Sequence, residues 1–345
     1  MVKTNHLGAL AATAGTLVAV GLLMLMMVVV EVRPAEATFP GKHNVGGGGG
    51  SFNVTDNTTN DYTPSYSPDG KKIAYRGSGS NGRHNEIYTI NVGGGVSFDV
   101  TDDTKNERDP SYSPSGKRIA YSGWDGQDWE IYTINAGGGG RVQLTHNSTK
   151  DDEVSYSPDG KRIAYSGYDG HDGEIYTINA DGGGRVQVTH NTNPRGDTDP
   201  SYSPDGKKIA YVGNDGHDGE IYTINAGGGR RTQVTHNTTY DQECSYSPSG
   251  KRIAYSGWDG HDGEIYTINV DGGGRVQLTH NSTKDGEPSY SPDGKRIAYE
   301  GYDGHDKEIY IMNVEGSGGV QLTHNTTNYY TPSYSPDGGG RGGGR

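Results

Sequence analysis

Carboxylates, histidines and single aromatic side chains recur at fixed offsets along this chain, in loops of the form Asp-Gly-His-Asp-Gly-Glu such as Asp169 to Glu174. Clustered carboxylates beside loop carbonyls are hard oxygen donors, the ligand set that suits calcium. The candidate calcium ligands are Asp125, Asp128, Asp169, Asp172, Asp215, Asp218, Asp259, Asp262, Asp303 and Asp306. The loops lack the twelve-residue spacing of an EF-hand, and Asp and Gly are also what a tight connection needs for local hydrogen bonds and positive φ. Calcium is therefore the one cofactor to weigh, against a purely structural role. His171, His217, His261 and His305 supply one imidazole per loop, so transition-metal binding would require convergence between loops. Protonation of these histidines in mild acid makes the region less negative. At one register of the same loops stand Trp124, Tyr168, Asn214, Trp258 and Tyr302, and with His171, His217, His261 and His305 they are the candidate partner-binding residues. Aromatic side chains flanked by charge have the character of contact hot spots for a protein or peptide, with packing between neighbouring loops as the competing role.

Catalytic machinery is not indicated. No nucleophile elbow or H-E-x-x-H occurs, and a residue repeated throughout the chain has no privileged catalytic environment. Gly77-Ser78-Gly79-Ser80-Asn81-Gly82 fits G-x-G-x-x-G, but it joins two strand-like segments and no helix follows. Asn147-Ser148-Thr149, Asn237-Thr238-Thr239, Asn281-Ser282-Thr283 and Asn325-Thr326-Thr327 are glycosylation sequons that repetition places at one loop position, where turn chemistry is the simpler cause.

The elements that carry these loops follow from a repeat. The tyrosine of Ser-Tyr-Ser-Pro falls at Tyr66, Tyr112, Tyr156, Tyr202, Tyr246, Tyr290 and Tyr334, in steps of 46, 44, 46, 44, 44 and 44 residues, a propeller-blade period. Within the third repeat, Val154-Ser155-Tyr156-Ser157 reads as strand A, and Pro158-Asp159-Gly160 turns it into strand B, Arg162-Ile163-Ala164-Tyr165. Glu174-Ile175-Tyr176-Thr177-Ile178 is strand C, and Arg185-Val186-Gln187-Val188-Thr189 is strand D after a glycine turn. In strand B, Ile163 and Tyr165 share one face and Ala164 the other, so each blade has a bulky and a small side and neighbours can nest.

The segment Ser65 to Tyr75, Ser-Tyr-Ser-Pro-Asp-Gly-Lys-Lys-Ile-Ala-Tyr, followed by Glu86-Ile87-Tyr88-Thr89-Ile90-Asn91, resembles the WD40-like (PD40) repeat of the TolB-type propeller family over about residues 51 to 337. The resemblance implies a six-bladed periplasmic or surface propeller that binds other proteins, and a periplasmic component related to the Tol-Pal system is one role it suggests. TolB itself carries an α/β domain before its propeller, whereas Gly46 to Gly50 and an export segment stand there in this chain.

The expected fold is all-β, a β-propeller of four-stranded antiparallel blades with six complete blades. The alternative is seven, the last built from orphan strands near residues 51–55 and 332–335. Residues 1–37 are expected to be an export signal or uncleaved membrane anchor: Lys3 precedes an apolar run from Leu7 to Val30, and Ala35-Glu36-Ala37 offers a cleavage site. Residues 38–50 read as a glycine-rich linker, 51–337 as the propeller and 338–345 as a disordered Gly/Arg tail.

The 345 residues include 58 glycines and 25 tyrosines, and hydrophobic residues make up only 30%, so the core must be thin and tyrosine-rich. A net charge of -13 disfavours nucleic acid and favours cations or a basic partner. Cys244 is alone, which excludes an intrachain disulfide, and it occupies the place of Pro64, Pro110, Val154, Pro200, Pro288 and Pro332 as a small packed residue.

Alternation of turns sorts the charges. Lys71, Lys117, Lys161, Lys207, Lys251 and Lys295, with Arg141, Arg185, Arg230 and Arg275, fall on the A-B/C-D rim. The loop aspartates, with Asp151, Asp152, Glu153, Asp241, Glu243, Asp285 and Glu287, fall on the B-C/D-A rim. The expected function is an exported, monomeric, non-enzymatic scaffold that binds a protein or peptide through the B-C/D-A rim. A calcium-binding structural or surface protein is the alternative.

Overall fold

Each repeat folds where its local chemistry directs. In the third, Pro158-Asp159-Gly160 turns strand A into strand B: Asp159 Oδ1 accepts from Ser157 Oγ at 2.7 Å and from the Lys161 amide at 3.0 Å, and Gly160 takes φ +70. Only glycine adopts that angle without a Cβ penalty. A computed structural model describes residues 52–55, 59–79, 82–192 and 195–315, within one compact unit, Gly41–Arg345. The expected export segment, linker, second orphan strand and Gly/Arg tail lie outside the described residues.

Six four-stranded antiparallel sheets follow one another. Blade 3 shows the pattern: strand A (Asp151–Tyr156), B (Arg162–Tyr168), C (Gly173–Asn179) and a short outer D (Val186–Gln187) pair in sequence order. The sixth blade differs. Its strands A to C are Gly286–Tyr290, Arg296–Tyr302 and Lys307–Asn313, and its outer strand is Phe52–Asn53 from the amino-terminal side, paired as Phe52↔Ile311 and Asn53↔Tyr310. The orphan strand thus completes a six-bladed ring rather than starting a seventh blade. Val54 is buried beside it, and Thr55 Oγ1 donates to Glu308 of blade 6.

The blades nest as the alternation in strand B requires. The bulky face of blade 3, with Tyr156, Ile163, Tyr165, Tyr176 and Ile178, packs on the small face of blade 2, formed by Ala120 and Ile131 with Leu144 beside them. Tyr165 and Tyr176 stack with centroids 5.7 Å apart, and an equivalent tyrosine pair stacks in every blade. Ile163, Ala164 and Tyr165 are fully buried, so both faces of strand B are covered. Serines close the seams nearer the axis: the Tyr156 amide donates to Ser111 Oγ at 3.2 Å and the Tyr202 amide to Ser155 Oγ at 3.1 Å. The first serine of Ser-Tyr-Ser therefore binds the next blade.

Candidate functional site

Strand A carries a one-residue bulge in every blade. In blade 3 the register slips between Asp152, opposite Ser166, and Ser155, opposite Ala164. The bulged residue is left-handed throughout: Thr63 (φ 50), Asp109 (55), Glu153 (54), Asp199 (52), Glu243 (58) and Glu287 (53). Such angles cost a non-glycine residue roughly 1 to 3 kcal/mol and tend to persist where the position matters. Each bulged residue lines the same central cavity of about 210 Å³, with the next two residues of its strand, such as Val154 and Ser155. Five of the six bulged residues are carboxylates.

Four of these residues are linked head to tail. Glu153 Oε2 accepts the Asp199 amide at 2.7 Å, Asp199 Oδ2 the Glu243 amide at 3.3 Å, and Glu243 Oε2 the Glu287 amide at 2.8 Å. Burial, followed by the charge of neighbouring carboxylates, pushes Asp109, Asp199 and Glu287 well above the usual carboxylate range, and burial also raises Glu153 and Glu243. Arg108 offsets one side of the ring, 3.5 Å from Asp109 and bonded to Asp152. Burial opposes ionisation of Asp152, but Arg108 and Lys150 outweigh it and hold that group below its ordinary value. The channel is an acidic cradle suited to a cation, whether ammonium, guanidinium or metal.

Several residues assigned to the acidic rim lie elsewhere. Glu153, Glu243 and Glu287 are in the channel, because the bulge turns them inward. Asp151, Asp241 and Asp285 are buried between blades, where Asn147, Asn237 and Asn281 donate side-chain N–H groups at 2.5, 2.7 and 2.7 Å. Those asparagines are the sequon residues, and their amides face inward. Burial pushes Asp151 and Asp241 up to about 7 and Asp285 to about 8. The C-D arginines also depart from the expected rim: Arg185 lies over the Tyr176 ring at 3.9 Å and Arg275 over Tyr266 at 4.0 Å. In blade 4 Arg231, not Arg230, takes that place, over Tyr222.

Of the loop aromatics, Tyr168, Trp258 and Tyr302 are exposed, each at the B-C end of strand B. Trp124 is half-buried and meets Trp129 edge-on. Asn214 differs from the expectation of a contact residue: it is buried, and its Oδ1 accepts the Gly216 amide at 2.7 Å, fixing the loop. His171, His217, His261 and His305 are exposed, and His261 and His305 lie 3.8 and 3.9 Å from aspartates of their own loops.

The loop aspartates do gather. Asp125 and Asp128 with Glu130, Asp169 and Asp172 with Glu174, Asp215 and Asp218 with Glu220, and Asp259 and Asp262 with Glu264 each place ligand atoms within 4.8 Å of one another. The glutamate opening strand C was not among the candidate ligands. In blade 6, Asp303 and Asp306 share the same turn. The first aspartate also serves the loop: Asp169 Oδ1 accepts the His171 amide at 2.8 Å. Cys244 lines the channel and donates to the Asp199 carbonyl at 3.2 Å. Burial, then the Asp199 charge, pushes its thiol far up, so it stays protonated and inert.

The channel carboxylates Asp109 and Asp199 escaped sequence reading, although one signal was available. Aligning the repeats puts an acid in five of six places immediately before the Pro64, Pro110, Val154, Pro200, Cys244 and Pro288 column.

Fold and channel together define a closed six-bladed propeller with an acidic axis. The TolB beta propeller domain model matches residues 47–198, 110–263 and 198–340, and the chain belongs to that family. The structure is similar to a putative TolB from Agrobacterium tumefaciens (23% identity, TM-score 0.61, 78% of this chain and 99% of that one). It is also similar to TolB from Acinetobacter baumannii (22%, TM-score 0.63, 73% of this chain and 65% of that one). An oligogalacturonate lyase in complex with manganese shares the fold at 14% identity and TM-score 0.53, with 79% of this chain and 97% of that one covered, so the architecture also serves enzymes. A search of curated proteins gave no match.

Proposed function

We propose that this chain is an exported, non-enzymatic TolB-type propeller whose B-C/D-A face receives a basic segment of a partner protein, with the channel carboxylates as its anionic floor. The observation that carries this reading is the ring of Asp109, Glu153, Asp199, Glu243 and Glu287, held in strained backbone and raised in pKa by burial and mutual repulsion. Such groups are stabilised by an arriving cation. The carboxylates sit on the half of strand A nearer the D-A loops, beneath the end of the blades that bears Tyr168, Trp258 and Tyr302. Aromatic anchors around a charged floor suit a segment combining lysine or arginine with apolar side chains. The test is calorimetric titration with a panel of arginine- and lysine-rich peptides. The Glu153→Gln/Asp199→Asn/Glu243→Gln variant should bind at least tenfold more weakly, and the salt dependence should flatten with it. Equal binding by both proteins would remove the channel from the account.

A second reading, calcium binding in the B-C loops, is favoured by one observation. Asp128, Asp218 and Asp262 each bury an Oδ1 that no hydrogen-bond donor reaches, beside two further carboxylates. A rise in melting temperature on adding calcium, reversed by chelator, tests it.

A further inference from the structure

The junction between blades 1 and 2 breaks the rule that the other described junctions keep. Between blades 2 and 3, Glu130, Asn147 and Asp151 meet: the asparagine amide N–H goes to Glu130 Oε1 at 2.8 Å and its side-chain N–H to Asp151 Oδ2. Glu174, Asn191 and Asp197 repeat this arrangement, as do Glu220, Asn237 and Asp241. The asparagine is a neutral donor between two acids. At the first junction the corresponding residues are Glu86, Asp103 and Glu107, so the donor has become a third acceptor and the buried acid is one methylene longer.

The consequences are visible in the geometry. Ligand oxygens of Glu86, Asp103 and Glu107 lie within 4.8 Å of one another. Two oxygens bound to one calcium ion at about 2.4 Å can be no further apart than that. Glu107 is fully buried, and no hydrogen-bond donor reaches either of its oxygens. Its one opposite charge is Arg141, with Nη1 3.4 Å from Oε1 and bonded also to Asp103. Thr101 Oγ1 donates to Glu86 Oε2 at 2.6 Å. Three carboxylates against one guanidinium leave two uncompensated charges, and burial makes these costly. Asp103 is only partly covered and gives an approach from solvent.

We propose that Glu86, Asp103 and Glu107 form a divalent-cation site at the junction of blades 1 and 2, selective for a hard ion such as calcium. The ion neutralises the two excess charges, adds to the Arg141 contact a ligand for the oxygens of Glu107 that no hydrogen bond reaches, and ties strand C of blade 1 to strand A of blade 2. This site is separate from the channel and from the B-C loops. A proton shared between Glu86 and Glu107 is the competing way to discharge the pair, since burial, then Asp103 and Glu86, push Glu107 up to about 9.

The test is calorimetric titration of the calcium-free full chain with calcium chloride at pH 7.5, beside the Asp103→Asn/Glu107→Asp double variant. That variant carries the residues of the next junction, Asn147 and Asp151, and so should fold at least as well. The expected result is one fewer calcium bound per chain in the double variant, together with a smaller rise in melting temperature on adding calcium. Identical stoichiometry in the two proteins, or no calcium binding by either, overturns the site. If the B-C loops bind calcium, both proteins retain those equivalents, so the two readings fail separately.

Discussion

Glu153 and Tyr156 stand three positions apart on one strand, yet they belong to regions built on opposite terms. Tyr156 enters the seam between blades 2 and 3, where stacked tyrosines, isoleucines and a facing alanine are buried without strain. Glu153 enters the channel, where left-handed backbone and a crowd of like charges both oppose folding. Native sequences violate local rules mainly where function requires it. The contrast therefore assigns stability to the seams and strain to the axis, where the proposed binding would take place. Mutations in the two regions should have effects of opposite sign.

The largest effect is expected in a seam. Tyr211 is fully buried and stacked on Tyr222, and Tyr211→Ala removes a large side chain that the closed ring cannot collapse around. Loss of about 3 to 5 kcal/mol is expected, measured by denaturant unfolding. A loss under about 1 kcal/mol would mean that the seams do not hold the ring.

The next test reverses the sign. Asp197 is raised to about 7 and Asp285 to about 8 by burial, while an unfolded aspartate titrates near pH 3.9. Over that window the folded state binds more protons than the unfolded state, so stability falls as pH rises from about 4 through 8. The channel acids shift in the same direction. The melting temperature should be higher at pH 5 than at pH 9, and Asp199→Asn should stabilise at pH 9 while changing little at pH 5. A profile rising toward alkaline pH would contradict the charge crowding.

A smaller loss is expected at the junctions. Asn147→Ala leaves Asp151 Oδ2 without its donor and deprives the Thr149 amide of its acceptor, Asn147 Oδ1, for about 1 to 3 kcal/mol. Peptide mass spectrometry should find Asn147 without sugar, because its side-chain amide is engaged inside.

The ring was legible in the sequence because period and alternation are local signals. Ser-Tyr-Ser-Pro marks each strand A, and Ile163-Ala164-Tyr165 fixes which face nests against which. The closing contact was half legible: the strand at Phe52–Asn53 stood out as an orphan, but its partner lies more than 250 residues away and nothing local names it. The channel was not legible in the same way. An acid two residues before Ser-Tyr-Ser looks like an acid of the adjoining loop unless the bulge is known, and a one-residue slip carries a side chain to the other face. Asn214 failed for a related reason. Its register matches Trp258, but a short polar side chain folds back on its own loop whereas indole cannot.

The smallest effect on stability is the one that separates packing from recognition. Trp258 is 46% exposed, and no stacking partner covers its ring among the described residues, whereas Trp124 has Trp129. Trp258→Ala should change unfolding free energy by no more than about 0.5 kcal/mol, and Trp124→Ala should cost more because it uncovers Trp129 and the Arg108 guanidinium stacked on it at 3.8 Å. If the B-C/D-A face binds partners, the order inverts for basic peptides. Trp258→Ala should then weaken binding more than its stability effect accounts for, because an exposed indole beside an acidic channel costs little to desolvate and offers a large apolar face. Equal losses of stability and binding at both tryptophans would make these aromatics loop packing and leave recognition to the channel carboxylates alone.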